Sequence, residues 1–189
     1  VYQYTLSTAY DIQTASLTNT KTVSGAGSAQ NALDRAYGIA FKSDGLKMIL
    51  SQNSPAEGDR DGLQEWDLST AWDLSTASFV REQLYSTDQS AGDIVFKSDG
   101  TKALMIDPDR IFEYSFSTGW NISTFSQPNT FTGNGSPFYF TDAKAMSASS
   151  DGTEVFIADR NTRQMKKLVF ATGWDVSSTV NSSTNSDSI

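Results

Sequence analysis

Apolar residues along this chain come in short runs separated by the same polar punctuation. Ile94-Val95-Phe96 is followed by Lys97-Ser98-Asp99-Gly100, and a second apolar run, Ala103-Leu104-Met105-Ile106, comes soon after. Asp-Gly between two apolar runs predicts a β-hairpin, because Gly accepts positive φ and Asp tolerates it. Phe41-Lys42-Ser43-Asp44-Gly45-Leu46-Lys47 and Ala148-Ser149-Ser150-Asp151-Gly152-Thr153-Glu154 repeat the pattern. The three Asp residues lie 55 and 52 residues apart, and a period of that size predicts a repeat architecture.

A second motif interleaves with the first. Tyr4-Thr5-Leu6-Ser7-Thr8-Ala9-Tyr10-Asp11-Ile12 recurs as Trp66 to Leu74, Tyr114 to Ile122 and Leu168 to Val176. Its aromatic anchors Tyr10, Trp72, Trp120 and Trp174 are spaced by 62, 48 and 54 residues. One unit then reads as four strands. Strand A covers 38–41, 93–96 or 145–148. Strand B covers 47–50, 103–106 or 155–158 and is apolar throughout, as a strand covered on both faces should be. Strand C covers 1–6, 63–68, 111–116 or 165–170. Strand D, the most polar and therefore the outer edge, is expected near 15–23, 78–84 and 124–127. No segment has sustained helical periodicity.

These patterns predict an all-β chain, a β-propeller of four-stranded antiparallel blades, with an open β-sandwich array as the alternative. The blades fall at 37–86, 92–128 and 144–189, after a leading half blade at 1–24. Phe-Lys-Ser-Asp-Gly-Thr-Lys followed by Leu-Ser-Thr-Ala-Trp-Asp resembles a propeller repeat of phage virion proteins and of surface or secreted proteins of marine bacteria. The resemblance covers nearly the whole chain and implies structural or adhesive roles, with no catalytic residue set to carry over. The strand order is C-D, then A-B-C-D twice, then A-B-C with a polar tail. That phasing, and a start at Val1 inside a repeat, predict a segment of a larger propeller or a chain completed by a neighbouring copy.

Composition narrows the partners. The formal net charge is −8, from 14 basic and 22 scattered acidic residues, which argues against nucleic acid. Ser and Thr together make up about a quarter of the 189 residues. No apolar run approaches the roughly 20 residues of a membrane-spanning helix. There is no Cys, which excludes disulfides and thiolate metal sites. There is no His, which removes the commonest general base and metal ligand. No cofactor or metal is expected.

The aromatic anchors are expected to pack structurally, and Asp11, Asp73, Asn121 and Asp175 to make local Asx turns. Antiparallel strands place the uniform A–B and C–D turns at one end and the irregular B–C and D–A connections at the other. Irregular loops on a uniform scaffold are where function tends to sit. The expected binding residues are therefore Asp59, Arg60 and Asp61 in the long 52–62 connection, Phe138 and Tyr139 in the aromatic 131–144 connection, and Asp107, Asp109 and Asp159. Asp-x-Asp alone is a weak calcium signal, since calcium wants six or more oxygens.

The functional expectation is a non-enzymatic virion or extracellular module, such as a phage fibre, spike or decoration protein. Its partners would be neighbouring virion or surface subunits, further copies of itself, or a host glycan or receptor. The alternative is a secreted or cell-surface bacterial propeller that binds or acts on glycans.

Overall fold

The computed structural model describes residues 1–23, 35–53, 61–85, 92–126, 129–135 and 138–185. The chain is all-β. A leading half unit pairs β1 (Tyr2–Leu6) with β2 (Ala15–Thr20). Unit I holds β3 (Arg35–Phe41), β4 (Lys47–Asn53), β5 (Gly62–Leu68) and β6 (Ala77–Leu84). Unit II holds β7 (Ile94–Phe96), β8 (Lys102–Ile106), β9 (Arg110–Ser115) and β10 (Asn129–Thr132). The short hairpin β11 (Asn134–Gly135) and β12 (Phe138–Tyr139) follows. Unit III holds β13 (Ala143–Ala148), β14 (Glu154–Asp159), β15 (Gln164–Phe170) and β16 (Thr179–Asn185). Each unit is a four-stranded antiparallel meander in chain order.

Strands A, B and C lie where the hydrophobic pattern places them. Strand D departs from it twice. In unit II pairing begins within the expected 124–127, where Phe125 bridges Phe116 and Ser126 N–H donates to Ser115 O at 2.8 Å, but the named strand lies further on, at Asn129–Thr132. In unit III the polar tail forms a full strand, β16, along β15. Its sequence, Thr-Val-Asn-Ser-Ser-Thr-Asn, has almost no apolar face for periodicity to detect.

The units pack face to face through apolar side chains. Ile49 and Leu63 of unit I meet Met105, Phe112, Tyr114 and Phe116 of unit II. Leu104, Ile106 and Ile111 of unit II meet Ile157, Leu168 and Phe170 of unit III. Strand B of units I and II is buried on both faces for this reason, Met48, Ile49, Leu104 and Met105 being essentially inaccessible, whereas in unit III Val155 and Ile157 are buried on one face and Phe156 is 38% exposed on the other. Fully burying one such side chain stabilises by about 1.5–3 kcal/mol.

The two motifs meet within each unit. Lys97 and Gly100 close the A–B turn, with Gly100 N–H donating to Lys97 O at 2.8 Å. Gly100 alone takes positive φ there, at 72°, while Asp99 accepts from Thr101 N–H at 2.9 Å. The Asp-Gly pair is thus the end of a four-residue turn, not a two-residue loop. Trp120 lies across Gly100, where a Cβ would come within 2.1 Å of the indole, and stacks on Phe96 at 4.7 Å. Trp174 crosses Gly152, and the half-exposed Trp72 crosses Gly45. The Asx turns form as expected: Asp11, Asp73, Asn121 and Asp175 accept from the N–H two residues on, at 2.9–3.1 Å.

A repeated polar joint ties each unit to the next. Gln3 accepts from Leu74 N–H at 2.9 Å and donates to Trp72 O at 2.7 Å. Glu65, at the same repeat position, accepts from Ile122 N–H at 3.2 Å. Glu113 accepts from Val176 N–H at 3.0 Å. Glu65 and Glu113 are buried, and each is paired with a lysine on its own strand B, Lys47 or Lys102. The fourth position is Lys167, which pairs with Glu154 at 2.9 Å, so the charges are exchanged in unit III.

Candidate functional site

The end carrying the β8–β9 and β14–β15 connections holds Asp107, Asp109 and Asp159. Asp107 ends β8 and is 1% exposed. Its Oδ1 accepts from Asp109 N–H at 3.1 Å and Arg110 N–H at 2.7 Å. Its Oδ2 binds Arg110 Nε at 2.9 Å and Nη2 at 2.6 Å. The carboxylate thus folds its own connection and clamps the Arg110 guanidinium, which lies over the Phe112 ring at 5.1 Å. Burial raises the Asp107 pKa from its ordinary 3.8, against the opposing pull of Arg110.

Asp159 occupies the same position in unit III. Its Oδ1 accepts from Asn161 N–H at 3.0 Å and Thr162 N–H at 3.3 Å, and its Oδ2 from Thr141 N–H at 3.1 Å. Gln52 stands there in unit I, within a buried ladder in which Gln64 donates to Gln52 at 3.0 Å and Trp66 to Gln64 at 3.1 Å. Asp109 is half-exposed, and its carboxylate lies 3.5 Å from Arg110 Nε. Asp61 is buried and its carbonyl accepts from Tyr85 N–H at 2.8 Å. Asp59 and Arg60 lie outside the described residues. Phe138 and Tyr139 form β12, paired with Gly135 and Asn134.

The aromatic connection is partly a structural plug. Phe140 is 1% exposed and Phe131 is half-buried, and both pack between units II and III. Gly133 permits this, because a Cβ there would reach within 2.5 Å of the Phe140 ring. The connection is tied to the β8–β9 turn by Gly133 N–H to Asp109 O at 2.7 Å and Ala143 N–H to Pro108 O at 3.0 Å. Arg110 and Asp109 are therefore held from both sides.

Sequence reading missed two groups here. Asp93 bridges the inner strands: its Oδ2 accepts from Met146 N–H of unit III at 2.9 Å, and burial raises its pKa. Tyr85 stacks on Tyr114 at 5.5 Å, and its buried hydroxyl has no hydrogen-bond partner among the described residues. Burial raises the pKa of both phenols. Only spacing could have flagged Asp93, because Gly38 and Ala145 stand at its equivalents. Among the described residues no group of three or more carboxylates is placed to hold a metal ion.

Asp99 is shifted in one direction, Asp93 and Asp107 in the other. At the turn end, the Lys97 ammonium at 2.7 Å, helped by Thr101, holds Asp99 down to about 2. A depressed folded pKa gives stability that is present above the unfolded value of 3.8 and lost as pH falls through about 2. Asp99 is half-exposed, so this contribution stays below about 1 kcal/mol. Asp93 and Asp107 are raised, so theirs is fully present below 3.8 and lost as pH rises through their folded values. Carboxyl-carbon NMR titration is expected to give an Asp99 midpoint near 2 and Asp93 and Asp107 midpoints above 3.8.

No family model and no curated protein sequence matches the chain. Its structure is similar to that of a Lactobacillus plantarum protein (TM-score 0.56, 16% identity, 83% of this chain and 44% of that one). It is also similar to a putative 6-phosphogluconolactonase from Bacteroides fragilis (0.52, 14%, 79% and 42%). A third similar structure is the Pseudomonas aeruginosa periplasmic gluconolactonase (0.53, 13%, 80% and 40%). The likeness is one of fold, and the chain spans 40–44% of the length of these proteins.

This finding corrects the expectation of a non-enzymatic virion or adhesion module, since two of these three similar structures bear lactonase names. The non-enzymatic expectation rested on the resemblance to structural and adhesive repeats and on the absence of His and Cys, and that absence removes only the chemistry that needs an imidazole or a thiol. Carboxylates and guanidinium groups also move protons and stabilise developing charge.

Proposed function

We propose that the chain is part of a β-propeller hydrolase acting on a sugar lactone, with its site at the Asp107–Arg110 end. The observation that carries this reading is the arrangement of Arg110, clamped by buried Asp107 and flanked by half-exposed Asp109. It lies on a fold shared with two proteins named as lactonases. The face-to-face stacking of four-stranded units supports the propeller.

In this reading Asp109 takes a proton from water as the water oxygen bonds to the lactone carbonyl carbon. Arg110 faces the oxyanion that forms, and Asp107 positions the guanidinium. The ring C–O bond then breaks, and the proton passes to the departing alkoxide, leaving a hydroxy acid.

Hydrolysis of D-glucono-1,5-lactone and of its 6-phosphate, followed with a pH indicator, tests the reading. A rate above the spontaneous background is expected, falling about a hundredfold in Arg110→Ala. A rate equal to background with both lactones overturns it.

A further inference from the structure

Among the described residues, the half unit has only the two outer strands of a sheet, β1 and β2, and no A–B hairpin beside β1. Tyr10 and Ile12 are 101% and 82% exposed, against 52% and 3% for Trp72 and Leu74 and 6% and 0% for Trp120 and Ile122 at the same repeat positions. With Tyr4, Leu6 and Ala15 they line an apolar groove of about 420 Å³. A groove of this kind on an otherwise hydroxyl-rich chain marks an interaction surface.

The complete units show what fills it. In each, the A–B hairpin lies against strand C and offers two backbone acceptors at its turn. Leu46, Thr101 and Thr153 carbonyls accept from Leu68, Phe116 and Phe170 N–H at 2.8 Å. Gly45, Gly100 and Gly152 carbonyls accept from Trp72, Trp120 and Trp174 N–H at 3.0–3.1 Å. In the half unit those two donors fall at Leu6 and Tyr10. They lie on the edge of β1 that no described strand pairs. Tyr10 already has the left-handed backbone of the three tryptophans, at φ 63° beside 60–62°. The receiving geometry is therefore formed in advance.

We propose that this groove binds a β-hairpin of the repeat's own A–B type, an aromatic strand, a Ser-Asp-Gly turn and a second apolar strand, which completes a fourth four-stranded sheet. The turn glycine is the recognition element. It seats under Tyr10 as Gly100 seats under Trp120, and any side chain there would strike the ring. A second copy of this chain is the wrong donor, because each of its three Ser-Asp-Gly hairpins is held within its own sheet. Strand addition of this kind takes affinity from main-chain hydrogen bonds and specificity from side-chain pockets. The inference is independent of the lactonase reading.

The test uses the full chain and a synthetic peptide of residues 92–110. This carries the Phe96 strand, the Ser-Asp-Gly turn and the natural connection to a strand C. Saturable binding is expected by calorimetry. With it, amide exchange at Leu6 and Tyr10 should slow by at least about tenfold. Both effects should vanish with a Gly100→Val peptide and with Tyr10→Ser protein, whose exposed position leaves the fold intact. Equal binding by the valine peptide, or binding without protection of Leu6 and Tyr10, overturns the proposal. So does a concentration-dependent dimer, seen by sedimentation, that protects those amides without peptide.

Discussion

Glu113→Ala is expected to destabilise the chain by about 3–5 kcal/mol, the range for breaking a buried ion pair. The carboxylate is 3% exposed and makes three contributions at once. It neutralises Lys102, accepts from Val176 N–H at 3.0 Å, and spans the boundary between units II and III. Alanine leaves the Val176 N–H buried without an acceptor, and Lys102 keeps only its bond to Trp174 O at 2.9 Å. Glu113→Gln should lose roughly half as much, because the amide oxygen still accepts from Val176 while the charge is gone. Urea unfolding at pH 7 measures both. If alanine and glutamine variants fall together within about 0.5 kcal/mol of wild type, the joint contributes nothing to the stack.

Trp120→Ala should cost about 3–5 kcal/mol, and Tyr10→Ala within about 0.5, although the two occupy one repeat position. Trp120 fills the space between Phe96 and the Gly100 turn, and its indole N–H donates to Ser98 O at 3.3 Å. Removing it opens a cavity beside Phe116 and Ile122 that a rigid sheet cannot collapse into. Tyr10 projects into solvent and has no such packing to lose. Paired thermal and urea melts of the two variants decide the matter. Similar costs for both would mean that the anchor acts through its backbone conformation and not through its ring.

Repetition made much of this legible in the sequence. Strands A, B and C announce themselves because burial on one or both faces imposes an apolar pattern, and the Asx turns because Asp or Asn must stand two residues before the donor. Strand D leaves no such trace: β16 is held by ladder hydrogen bonds, and its polar side chains carry no periodicity. The unit-to-unit joint was written in the sequence at the same spacings of 62 and 48 as the aromatic anchors. Its identities, Gln, Glu, Glu and Lys, hide it, since a charged residue in a strand ordinarily reads as a solvated face.

The candidate site was legible in place more than in chemistry. Asp107 and Asp159 were read as binding residues, and in the structure their lone pairs also turn the chain, as those of Asp73 and Asp175 do. The cue was the donor spacing: each is followed at two and three residues by an amide it can cap. Arg110 was not among the expected binding residues. Its clamping by Asp107 depends on rotamers and burial that no spacing reveals.

The joint also makes the units interchangeable parts. Ile122 and Val176 present the same backbone group to Glu65 and Glu113, so neither acceptor can tell which unit it has met. Excising or duplicating a whole unit would regenerate this one contact at the new boundary. Lys167 is the exception. An ammonium in place of the carboxylate is a donor and not an acceptor, so this position does not repeat the contact that Glu65 and Glu113 make.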